Sequence, residues 1–142
     1  MLKNHQEFAP IVRKLLDAEG LEQAPVRIEY VHSIDLDGDG TEERLINARS
    51  GEDCTEPCTP AYAVFLLLRT VRSQPDITVI SEAWGEMRFL AFETESSSYA
   101  DLNGDGVMEM LLFGTGEAPV FGVKTLVAGR LVDVPLGYRF HW

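Results

Sequence analysis

Apolar side chains recur at helical spacing in one convincing stretch of this chain. Phe8, Ile11, Val12, Leu15 and Leu16 share one face of a segment running from about 5 to 19, with polar residues between them. Pro10 fits near a helix start, where its missing N–H is not needed, and Gly20 supplies a stop. The predicted helix caps a core. From residue 26 the period shortens to two: Val26, Ile28, Tyr30, His32 and Ile34 alternate with Arg27, Glu29, Val31 and Ser33, as in a half-buried strand. Further strands are predicted at 44–49, 61–72, 77–81, 88–95, 110–113, 120–127 and 131–134, with turns at SQPD, EAWGEM and AGR.

The pattern repeats. Asp35-Leu-Asp-Gly-Asp-Gly-Thr-Glu-Glu aligns with Asp101-Leu-Asn-Gly-Asp-Gly-Val-Met-Glu, 66 positions later. Downstream, Leu45-Ile46 falls on Leu111-Leu112, the run from Ala61 on the segment from Pro119, and Ile77–Ile80 on Leu131–Val134. Each unit is then strand, loop, strand, turn, strand, turn, strand. The expectation is one mainly β domain over residues 1–142. It has an N-terminal helix, repeat unit one at about 26–81 and repeat unit two at about 88–134.

The two loops carry the candidate chemistry. Positions 1, 3 and 5 are Asp35, Asp37 and Asp39 in the first, and Asp101, Asn103 and Asp105 in the second. A hard cation such as Ca²⁺ collects six to eight oxygens, and short acidic side chains at alternate positions of a curled loop converge on one point. Glycine at position 6 (Gly40, Gly106) permits the sharp turn. Position 7 (Thr41, Val107) offers a backbone carbonyl, and Glu43 and Glu109 at position 9 close the loops. Position 12, where an EF-hand requires Glu, is Ile46 or Leu112, and strands rather than helices follow both loops, which also disfavours a dockerin. Two Ca²⁺ per chain are expected. The extra carboxylate of Asp37 favours tighter binding in the first loop.

SYADLNGDGVMEMLLFG resembles the calcium loop and strand of FG-GAP or VCBS-type repeats, which build integrin-like β-propeller blades. IDLDGDGTEERLI resembles the same pattern, and GTGEAP is similar to that family's Gly-Ala-Pro segment. The resemblance covers about half the chain. It implies blade-like units of antiparallel strands, with calcium at Asp35, Asp37, Asp39 and Glu43 and at Asp101, Asn103, Asp105 and Glu109. A propeller needs about four blades or more, and two units are present. The expected solution is a compact domain closed by the helix.

Charge narrows the partners. With 23 acidic against 12 basic residues and a net charge of -11, nucleic acid and anionic lipid are disfavoured. Cys54 and Cys58 suit a local disulfide in an oxidising compartment, with free thiols as the alternative; zinc lacks the further ligands it needs. The longest apolar run, 61–68, is too short to span a bilayer, so no transmembrane segment is expected. The N-terminus lacks a signal-peptide apolar region, so export implies a signal already removed. His32 reads as a core histidine, and no carboxylate pair or phosphate loop indicates an enzyme. The expected function is a secreted or periplasmic module binding another protein, with structural calcium. The alternative is a carbohydrate-binding module using Trp84, Tyr99 and Trp142, and a hydrolase with a dispersed site ranks last.

Overall fold

The computed structural model describes residues 5–50, 62–84, 98–113 and 121–134. The Cys54–Cys58 pair, the strand expected at 88–95, GTGEAP, His141 and Trp142 lie outside the described residues. A 3-10 turn, His5–Phe8, leads into helix α1, Ala9–Ala18, with Pro10 in its first turn. Val12 and Leu16 are fully buried on one face. Gly20, at a φ of +76°, ends the helix where an L side chain would be strained. Arg13 fastens the chain that follows, donating to the Ala24 and Leu21 carbonyls at 2.6 and 2.7 Å.

Among the described residues eight strands form two antiparallel four-stranded sheets, each a meander of sequence neighbours. Sheet one is β1 (Ile28–Ile34), β2 (Glu43–Ser50), β3 (Tyr62–Val71) and β4 (Gln74–Trp84). Sheet two is β5 (Ser98–Ala100), β6 (Glu109–Phe113), β7 (Phe121–Val127) and β8 (Arg130–Asp133). The protein is mainly β, with two similar units and one N-terminal helix. This arrangement is compatible with propeller-like blades.

The apolar run of β3 is continuous because both its faces are covered. Tyr62, Val64 and Leu66 join Ile46, Ala48 and the α1 side chains in one core cluster. Phe65 and Leu67, on the opposite face, join Leu36 and Leu45 and meet Met110, Leu112 and Leu126 of sheet two in a second cluster. Helix α1, sheet one and sheet two are therefore three successive layers.

Several details depart from the sequence pattern. Glu82, Ala83 and Trp84, expected in the EAWGEM turn, continue β4, and β5 lies where no strand was predicted. The β3–β4 turn is Arg72-Ser73 rather than SQPD: both residues have positive φ, 50° and 63°, and Val71 pairs directly with Gln74. This primed two-residue turn matches the twist of its strands, and Pro75 sits at the sheet edge, where its missing donor does no harm. The third strands of the units also align differently. Arg44 pairs with Leu68 and Met110 with Lys124, so Leu68 corresponds to Lys124, a shift of two residues from the apolar alignment. An even shift keeps every side chain on its expected face, which is why alternation alone does not detect it.

Candidate metal centre

The two aspartate loops join β1 to β2 and β5 to β6, and their internal bonding is nearly the same. Asp35 accepts the N–H groups of Gly38, Asp39 and Gly40 at 2.8, 3.1 and 2.9 Å. Asp101 accepts those of Gly104, Asp105 and Gly106 at 2.7, 3.1 and 2.9 Å. Asp37 and Asn103 each accept the N–H two residues on, and so do Asp39 from Thr41 and Asp105 from Val107. Each loop is thus curled around its first aspartate by Asx-type bonds. Gly38, Gly40, Gly104 and Gly106 all take φ between 76° and 88°, the left-handed region that glycine enters freely.

The structure brings Asp35, Asp37 and Asp39 together: one carboxylate oxygen from each lies within 4.8 Å of the others. Calcium–oxygen bonds of about 2.3–2.6 Å place ligands on opposite sides of the ion up to about 5 Å apart, so the spread fits. The bonds to backbone N–H groups leave lone pairs free, since an ionised carboxylate accepts at about four sites.

Glu43 and Glu109 are each turned to a backbone N–H at the start of their own loop. Glu43 is buried outside the three-aspartate group, and its Oε2 accepts the Leu36 N–H at 2.7 Å. Glu109 is equally buried; its Oε2 accepts the Leu102 N–H at 2.7 Å, and Thr125 donates to its Oε1 at 3.3 Å. Each glutamate ties the end of its loop to the second residue of the loop. Burial raises the Glu43 carboxyl above the ordinary glutamate value; the Leu36 N–H and Arg69 oppose this, and Asp37 and Asp39 add to it.

Arg69 is the participant that sequence reasoning missed. From β3 it donates to Asp37 Oδ2 at 2.9 Å and to the Gly129 carbonyl, in the β7–β8 turn, at 3.0 Å. Its only sequence signal was to end an apolar run. The additional charge of Asp37 is therefore opposed by a guanidinium. In the second loop Asn103 donates its own amide to Asp105 at 3.2 Å.

The loops also touch each other. The Met108 N–H donates to the Leu36 carbonyl at 2.7 Å. Gly38 lies so close to the second loop that a Cβ on it would sit 2.6 Å from the Gly106 carbonyl oxygen. Nearby, His32 Nδ1 and Tyr99 Oη share a hydrogen bond of 3.3 Å, with the rings edge to face. His32, expected as a core histidine, is instead half-buried and joins the two units. Trp84 packs on the helix-side core and Tyr99 on the inter-sheet core.

No family model, curated protein or solved structure matches this chain. No helix among the described residues is long and apolar enough to cross a membrane.

Proposed function

We propose that this protein is a calcium-stabilised β module that binds another protein, and that calcium acts structurally at the junction of its two units. One observation carries the reading: two acidic loops of the same internal geometry are pressed backbone to backbone, through Met108 and Leu36 and through Gly38 and Gly106. Like charges held this close repel unless cations lie among them. One Ca²⁺ in each loop, on Asp35, Asp37 and Asp39 and on Asp101, Asn103 and Asp105, relieves that repulsion. It also fixes the turns that set the register of β1 with β2 and of β5 with β6. Carbonyls of Thr41 and Val107, and the Oε1 atoms of Glu43 and Glu109 turned away from Arg69 and Thr125, complete the shells in this proposal. The FG-GAP or VCBS resemblance and a secreted or periplasmic location belong to the same reading. Trp84 and Tyr99 belong to separate clusters, so they lend no support to a shared sugar-stacking surface.

Thermal melting in calcium and in chelator tests the structural role. Calcium that binds only the folded state stabilises it by about 1.4 kcal/mol per site at tenfold saturation. The melting temperature should therefore rise in calcium, and Asp39→Ala or Asp105→Ala should each remove part of the rise. Equal melting temperatures for the unmodified protein in the two buffers would refute it.

A further inference from the structure

We propose that Arg69 is an internal counter-ion of the first loop, so that the two loops take calcium unequally and the second fills first. The inference rests on the calcium reading above and names a residue that tunes it. Strand register identifies the equivalent positions. Glu43 and Glu109 hold the same place in the two loops. The pairs Arg44 with Leu68 and Met110 with Lys124 then put Arg69 beside Glu43 where Thr125 stands beside Glu109. Two differences between the units therefore occur together: Asp37 with Arg69 in one, Asn103 with Thr125 in the other. At the ligand positions alone, four carboxylates and one guanidinium give the first loop a net charge of three negative, the same as the three carboxylates of the second; Glu42, outside those positions, is paired with Arg44.

The geometry places the guanidinium where it competes with a metal. Arg69 holds Asp37 Oδ2 at 2.9 Å, and its side chain is only 13% exposed. Its Nε is buried, has no hydrogen-bond partner among the described residues, and faces Glu43 Oε1 across 3.9 Å, too far for a hydrogen bond. The Glu43 side chain is 5% exposed, and with Oε2 held by the Leu36 N–H its other oxygen is directed at this gap. Two of the carboxylates a cation would use, Asp37 and Glu43, are therefore already turned to a fixed positive charge. That charge is anchored from the far side by the Gly129 carbonyl at 3.0 Å. A calcium ion entering the first loop meets a guanidinium a few ångströms away and must share Asp37 with it. The second loop offers the neutral Thr125 hydroxyl at that position.

The test is calcium calorimetry on single-loop proteins. Asp105→Ala silences the second loop and Asp39→Ala the first. The protein keeping the first loop should bind calcium about tenfold more weakly than the one keeping the second, the order expected for one nearby charge near a surface. Adding Arg69→Thr to Asp105→Ala should recover that factor. The pair Asp37→Asn with Arg69→Thr, which gives the first loop the second loop's residues, should match the second loop's affinity; it carries the same test if Arg69→Thr alone fails to fold. Equal affinities of the two single-loop proteins would overturn the proposal. So would an unchanged affinity after Arg69→Thr accompanied by a lower melting temperature in chelator, since Arg69 would then be only a clasp between units. No calcium heat from the unmodified protein would overturn the calcium reading itself, and this inference with it.

Discussion

Tyr62 illustrates how much of this protein depends on single polar atoms inside an apolar run. It is fully buried, donates to the Pro25 carbonyl at 2.8 Å and accepts the Arg27 N–H at 3.0 Å, so it stitches the start of β3 to the chain entering β1. Tyr62→Phe keeps the ring and strands both partners, which should cost about 1–3 kcal/mol in denaturant unfolding. Burial also raises its phenol above the ordinary value of 10.0, and pushes that of Tyr99 up to about 12. The unfolded chain ionises first, so both residues contribute fully to stability below pH 10.0. That contribution is lost as pH rises from there through the raised values. In chelator, stability should fall over this range, and tyrosinate absorbance should show two of the four tyrosines ionising late or only on unfolding. Four phenols titrating together near the ordinary value would contradict this. Neither tyrosine's role was legible beforehand. The partners of Tyr62 lie 35 and 37 residues away, that of Tyr99 lies 67 away and Asp37 lies 32 from Arg69, whereas the curl of the loops could be read because each aspartate's backbone partners lie within five residues.

At the scale of elements, local chemistry was a good guide where an element closes on itself. The helix, the loops and the faces of the strands follow from spacing and glycine alone. The Arg72-Ser73 turn does not, because neither residue favours positive φ and the flanking hairpin imposes it. The same distinction separates two glycines. Gly38 and Gly104 occupy equivalent places, with φ of +76° and +77°, yet only Gly38 abuts the other loop. Gly104→Ala should therefore cost about 1–2 kcal/mol, the penalty of a left-handed conformation for an L residue. Gly38→Ala should cost clearly more, because its methyl meets a carbonyl oxygen that cannot move without parting the loops. Equal losses in paired melts would mean that the loops are not in contact.

For the molecule as a whole, Leu36 is the residue through which the units share a core. It arises in the first loop, is 1% exposed, and packs in the cluster containing Met110 and Leu112. Leu36→Ala should cost about 2–5 kcal/mol and lower a single transition for both sheets in calorimetry; two separated transitions would show that the units unfold independently. Its counterpart Leu102 is 60% exposed. That contrast gives the pairing a direction. A two-fold arrangement would repeat the Met108–Leu36 bond in reverse, from the Glu42 N–H to the Leu102 carbonyl, and among the described residues only the forward bond is present. The units are related head to tail, by a step that does not return to its origin. Helix α1 covers Ile46 on sheet one as sheet one covers its counterpart Leu112 on sheet two, so it takes the place of a preceding unit and blocks the step backwards. Among the described residues the forward step has no such block: taken once more, it lands on the side of sheet two that carries Leu102. The stack is a polar segment, plugged at one end by a helix and, among the described residues, blunt at the other.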